Sequence, residues 1–185
     1  EIYTLSLHDA LPIWFSGPDP FMHTHRHFPH PHTHSSTLSR PSYTLIYTVY
    51  MIVDRDDLTE ALARLELEGG DCLEIEAKTF SEYSHAALGP TLSAFANLPG
   101  GGTILLGVSE NPVSVVGVER PRNLKKALVS QARQGFSSEI TVDVHDLDLD
   151  GRTVVVANVQ EAPVNSKPCR WKKTGSAYLR QYDGD

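Results

Sequence analysis

The segment 98–108, LPGGGTILLGV, limits the fold of this chain more than any other stretch. Pro99 and the glycines Gly100, Gly101 and Gly102 stop whatever element precedes them. The run 103–108 then shows no polar alternation, the pattern of a central strand buried on both faces. A half-solvated strand would alternate with period two, so this one needs cover above and below.

The flanking patterns supply candidates. Asp56 or Asp57 can cap a helix from Leu58, where Leu58, Ala61, Leu62 and Leu65 follow the i, i+3, i+4, i+7 spacing and Gly69–Gly70 end it. Residues 72–78 alternate as a strand, with Glu74, Glu76 and Lys78 on one face and Leu73, Ile75 and Ala77 on the other. Residues 79–87 read as a loop with a short helix start, and Pro90 suits the first turn of a helix over 91–98. Residues 103–118 are expected to form a hairpin turning at 109–112, followed by a helix over 122–134 with Leu124, Ala127, Leu128 and Gln131 inward. Residues 140–144 and 152–159 are strands about the two-residue turn Asp150–Gly151, and 177–180 is a last short strand. The sum is an α+β chain: one small domain with a mixed sheet and two or three packing helices.

The first fifty residues differ in kind. Residues 1–14, EIYTLSLHDALPIW, resemble a translated sequencing adapter, and 15–42 are rich in His, Pro, Ser and Thr. Such a composition does not bury enough apolar surface to order itself. His23, His25, His27, His30, His32 and His34 are able metal ligands, but no rigid frame is evident around them. The organisation expected is therefore a tail over 1–50, a start at Met51, a helix over 51–70 and the domain over 71–185, cut short at its C-terminus. A net charge of −7 argues against a protein that coats nucleic acid with its whole surface. No apolar run is long enough to span a membrane, and the two cysteines, Cys72 and Cys169, form no C-x-x-C pair. Both features fit a cytoplasmic protein.

LSAFAN at 92–97 followed by GGGTILLGV at 100–108 resembles the signature of the Schlafen AlbA-2 family. IEAK at 75–78 is similar to that family's opening strand and AYLR at 177–180 to its closing one, so the likeness covers about 73–180. It implies a DNA- or RNA-binding module of a bacterial regulatory protein, often described as ATP-binding, with a further C-terminal region. Related nucleases use acidic residues with Mg²⁺ or Mn²⁺, and Glu76 and Glu110 fall near those places. The family's first acid would fall at Asp71.

Three groups are candidate sites. Gly100, Gly101 and Gly102, with Asn97, offer backbone N–H groups to a phosphate such as that of ATP, although a phosphate cradle usually opens a helix rather than following one. The plainer reading is a tight helix-to-strand turn. Glu76 and Glu110 are candidate catalytic carboxylates for an endoribonuclease; the alternative is a solvated charged face in which Glu76 pairs with Lys78 or a later Arg. Lys167, Arg170, Trp171, Lys172, Lys173 and Arg180 interleave cations with aromatic Trp171 and Tyr178, as phosphate contact with base stacking requires; the alternative is a solvated loop with Trp171 packed on the domain, and Asp143, Asp146, Asp148 and Asp150 dilute the positive region. Arg120, Arg122, Lys125, Lys126 and Arg133 add charge on the preceding helix, and eleven of the sixteen Lys and Arg lie from Arg120 onward. A non-catalytic interaction or homo-oligomerising domain is the third reading.

Overall fold

The computed structural model describes residues 2–5, 51–79 and 84–181. The histidine-rich stretch and most of the tail expected over 1–50 lie outside the described residues. Contacts divide the chain into Glu1–Leu7 with Tyr47–Asp185 and His8–Ile46, and every described residue belongs to the first unit.

The elements run β1 (Ile2–Leu5), α1 (Arg55–Glu68), β2 (Ile75–Lys78), α2 (His85–Asn97), β3 (Gly102–Leu106), β4 (Val108–Glu110), β5 (Val113–Val115), α3 (Pro121–Gln134), β6 (Val142–Leu149), β7 (Arg152–Val159) and β8 (Ala177–Arg180), with a 3₁₀ turn at Val164–Ser166. A four-stranded sheet has the order β2-β3-β7-β6; β2 and β3 are parallel and the other pairs antiparallel. β4 and β5 form a small hairpin, and β1 pairs antiparallel with β8. This is the expected small α+β domain.

β3 is central and every residue in it is buried. Alternate residues feed two cores. Ile104, Leu106, Val155, Ala157 and Val159 pack beneath α2 and α3, whereas Leu105, Val154 and Val156 pack beneath α1 with Ile75, Ala77 and Ile52. A layer on each face explains the unbroken apolar run. Asn158 is the buried polar residue of β7. Its amide accepts from the Ile52 backbone N–H at 3.2 Å, donates to the Ile52 carbonyl at 2.9 Å and accepts from the Thr103 hydroxyl at 2.7 Å. A buried amide thus stands in for a strand neighbour and fastens the segment preceding α1 to the sheet.

Three boundaries differ from the sequence expectation. β2 begins at Ile75 because residues 72–75 close a tight turn, and Leu73 therefore packs on the α2 side rather than with Ile75 and Ala77. α2 starts at His85, not near 91, and Pro90 lies inside it. Ser84 caps the first turn by accepting from Ala87 N–H, and Gln131 of α3 grips His85 through its backbone carbonyl and its ring. Those tertiary bonds offset the one hydrogen bond that Pro90 cannot donate. The strand expected through Val108 breaks at Gly107, whose φ of +98° is closed to most residues, so the hairpin is β4–β5 alone. The Asp150–Gly151 turn is present with both residues at positive φ, 51° and 75°. Among the described residues no helix is long and apolar enough to cross a membrane.

Gly89 of α2 faces the indole of Trp171, and a Cβ there would overlap the ring. Gly89→Ala should therefore lower stability by about 1–3 kcal/mol, although the same change in an exposed helix raises it by about 1 kcal/mol. Urea unfolding measures the difference, and a variant as stable as its parent would contradict this packing.

Candidate functional site

Glu76 projects from β2 toward α2 and β8, where it is buried. One carboxylate oxygen meets the Arg180 guanidinium at 2.5 Å; the other lies 3.1 Å from Lys78 Nζ and 3.5 Å from the Thr91 hydroxyl. Lys78 also pairs with Glu110 at 2.5 Å and lies 3.7 Å from Asp71. Arg180 reaches Asp71 at 3.3 Å, donates to the Ile75 carbonyl at 3.3 Å and lies over the Phe95 ring at 5.1 Å. The face expected to be solvated is thus roofed by α2 and β8, and Glu76 does pair with both Lys78 and a later Arg.

Protons are shared unevenly in this cluster. Burial, together with the hydrogen bond and negative charge of Glu76, pushes Asp71 up to about 7. Burial works against ionisation of Glu76 as well, but the hydrogen bond from Asp71 and the charges of Arg180 and Lys78 outweigh it and hold Glu76 below its ordinary value. Burial also opposes the charge on Lys78, yet Glu76, Glu110 and Asp71 raise it. With Asp71 protonated, two carboxylates balance two cations. These residues do not fit a divalent ion: the Lys78 ammonium occupies the space among the carboxylates, and no group of three or more His, Cys, Asp or Glu among the described residues is placed to hold a metal. The cluster's chemistry is the joining of β2, β4 and β8.

The glycine loop is occupied by the protein itself. Gly100 N–H donates to the Glu161 carboxylate at 2.9 Å and Gly101 N–H to the Leu98 carbonyl at 3.0 Å. A Cβ on Gly101 would strike the Val159 carbonyl, and one on Gly102 the Phe95 ring. Gly101 and Gly102 serve close packing, Gly100 supplies a backbone φ of +82°, and the N–H groups of Gly100 and Gly101 that a phosphate would use are already engaged. Asn97 is a clamp: its side chain accepts from Cys169 N–H at 2.7 Å and donates to the carbonyls of Cys169 and Tyr178 at 3.1 Å each. Ser93 adds a bond to the Cys169 carbonyl and accepts from Tyr178 N–H. Ser93 and Thr91 carry no sequence signal beyond being polar positions on an apolar helix.

The basic candidates divide. Arg180 is held in the ion cluster with 5% of its side chain exposed, and Trp171 is buried against Gly89 and Tyr178. Lys167 donates to Glu161 and to the Asn97 carbonyl. Arg170 is half-buried; Lys172 and Lys173 are exposed. Lys172 N–H donates to the Gly135 carbonyl and Nζ to that of Gln134, so the turn abuts the C-terminal end of α3. α3 itself, PRNLKKALVSQARQ, bears four cations and no acid. Leu124, Leu128, Gln131 and Ala132 are buried, whereas Arg122, Lys126 and Arg133 face outward. Lys125 pairs with Asp146, and Arg133 with Glu139 at 3.5 Å across an exposed surface, where such a pair contributes little.

What fold and surface define together is a small α+β module with a structural ion cluster inside and one cationic helix outside. The chain belongs to the Schlafen AlbA-2 family: residues 72–185 match the family described as Schlafen, AlbA_2. The solution structure of the N-terminal domain of a RecG-related protein from Nitrosomonas europaea, named for its relation to ATP-dependent DNA helicases, is similar. It shows 29% identity and a TM-score of 0.56 over 72% of this chain and 92% of that one. The crystal structure of the DIP2311 protein from Corynebacterium diphtheriae matches at 16% identity and a TM-score of 0.44, over 68% of this chain and 28% of that one. No curated protein matches this chain.

Asp71 yields a pH prediction. Its folded value of about 7 lies above the ordinary 3.8, so the folded chain keeps a proton that the unfolded chain releases. Stability from this group must fall as pH rises from about 4 to about 7, by on the order of 2 kcal/mol, since Glu76 shares the proton. Asp71→Asn retains an acceptor for Ala77 N–H and a donor for Glu76 but has nothing to titrate. Urea unfolding against pH should show the variant gaining on its parent across that window. A constant difference would contradict the assignment.

Proposed function

We propose that this domain binds nucleic acid, as the binding module of a regulatory protein, through the outward face of α3 and the Lys172–Lys173 turn. The observation that carries the reading is charge segregation. In a chain of net charge −7, α3 has four cations and no acid, while α1 has two cations and five acids. Lys173 stands over the Trp171 ring at 5.5 Å and Lys172 is fastened to the end of α3, so these cations extend its basic face. Such a surface releases counterions from phosphates, which supplies affinity without requiring a basic protein overall. The relation of the Nitrosomonas protein to DNA helicases supports the same reading.

Fluorescence anisotropy with labelled DNA and RNA at about 50 and about 200 mM salt tests it. Binding should weaken steeply with salt. Lys126→Glu/Arg133→Glu/Lys173→Glu should lower affinity at least about tenfold and flatten the salt slope by roughly 2–3, since each lost phosphate contact removes about 0.9. Arg55→Glu, on α1 over the other face of the sheet, should leave both unchanged. Equal losses in the two variants would refute the assignment to α3.

A further inference from the structure

We infer that the ligand of this surface is duplex DNA, with the outward face of α3 lying along the major groove rather than a single strand stacked on the domain. The inference rests on the nucleic-acid reading above and narrows it.

A single-strand site needs exposed rings for the bases to stack on. Phe95, Phe136 and Trp171 are buried, and Tyr178 is half-buried with its hydroxyl 3.3 Å from that of Thr174. Phe136 and Trp171 lie at the basic end of α3, where they face each other across an isolated bridge inside the core. Among the described residues of this surface the cations are outside and the rings inside, so there phosphate contact is available and stacking is not.

The helix α3 suits a major groove. Its solvent-facing side chains are Arg122, Asn123, Lys126, Ser130, Arg133 and Gln134. These are the residue types that hydrogen-bond to base edges and phosphates in a major groove, with no carboxylate among them to repel the backbone. The fourteen residues of α3 extend about 21 Å at the usual rise, and a helix fits the roughly 12 Å width of the B-form major groove. A-form RNA presents a deep, narrow major groove that excludes a helix. Beside this face, an open trough of about 420 Å³ between α3 and β6 is walled by Lys125, Lys126, Val129, Arg133 and Val144. It gives the sugar–phosphate strand bordering the groove a concave seat, while Lys172 and Lys173 meet phosphates beyond the end of the helix.

The experiment uses the full chain and three labelled probes of about 16 units, roughly one and a half turns: duplex DNA, one of its strands, and duplex RNA of the same sequence. Dimethyl sulfate protection of guanine N7 on the duplex DNA reports the major groove. The expected result is duplex DNA binding at least about tenfold tighter than the other two, with N7 protection that Lys126→Ala/Arg133→Ala removes. Equal or tighter binding of the single strand or of duplex RNA overturns this inference and leaves the nucleic-acid reading standing. So does duplex DNA binding with N7 unprotected, whereas binding unchanged in the double variant overturns this inference together with the assignment to α3. Absence of binding to all three probes overturns both.

Discussion

The buried pair of Glu76 and Arg180 is the interaction on which the rest of this domain depends. It joins the first strand of the four-stranded sheet to the last strand of the chain, 104 residues apart, with α2 between them. Desolvating two charges costs several kcal/mol each, and only close geometry with further hydrogen bonds offsets that cost. Thr91, Lys78, Asp71, the Ile75 carbonyl and the Phe95 ring supply it. Once β8 is held, Asn97 and Ser93 fix the backbone at Cys169 and Tyr178, Trp171 seats on Gly89, and Lys172 reaches the end of α3. The position of the outer cations follows from the inner ones.

Charged residues consequently play two unrelated parts. Glu76, Asp71, Lys78 and Arg180 are inside or at the edge of the core and answer one another. Arg122, Lys126 and Lys173 are exposed, and no acidic partner accompanies them among the described residues. Ionic groups that are mutually satisfied hold a structure; cations left facing water on an acid-free helix remain available to a polyanion. Loss of activity on removing Glu76 would accordingly report unfolding as readily as chemistry.

Much of the fold was legible from local pattern. The glycine break and apolar run located β3, the 3.6-residue period located α1 and α3, and Asp150–Gly151 located the β6–β7 hairpin, because each signal lies within a few residues. The start of α2 was legible only as a short helix start within 79–87: Pro90 argues locally against one continuous helix there, and what overrides it is Gln131, which grips His85 from 46 residues away. The candidate site was half legible. Alternation placed Glu76 and Lys78 on one face of β2 but says nothing of what covers that face. That Arg180 is buried, and which of its two readings Trp171 takes, were hidden for the same reason, since their partners Glu76 and Gly89 are remote in sequence. The charge on α3 was visible in composition, and its isolation from acids became meaningful only once its buried and outward faces were known.

The most direct test of this account is a double-mutant cycle on the buried pair, with urea unfolding of the parent, Glu76→Gln, Arg180→Met and the double variant. The account predicts that each single change costs about 3–5 kcal/mol, because each strands a buried charge, and that the double variant loses far less than the sum. Losses that add to within about 0.5 kcal/mol would show two side chains acting independently, and would contradict the claim that this pair closes the domain.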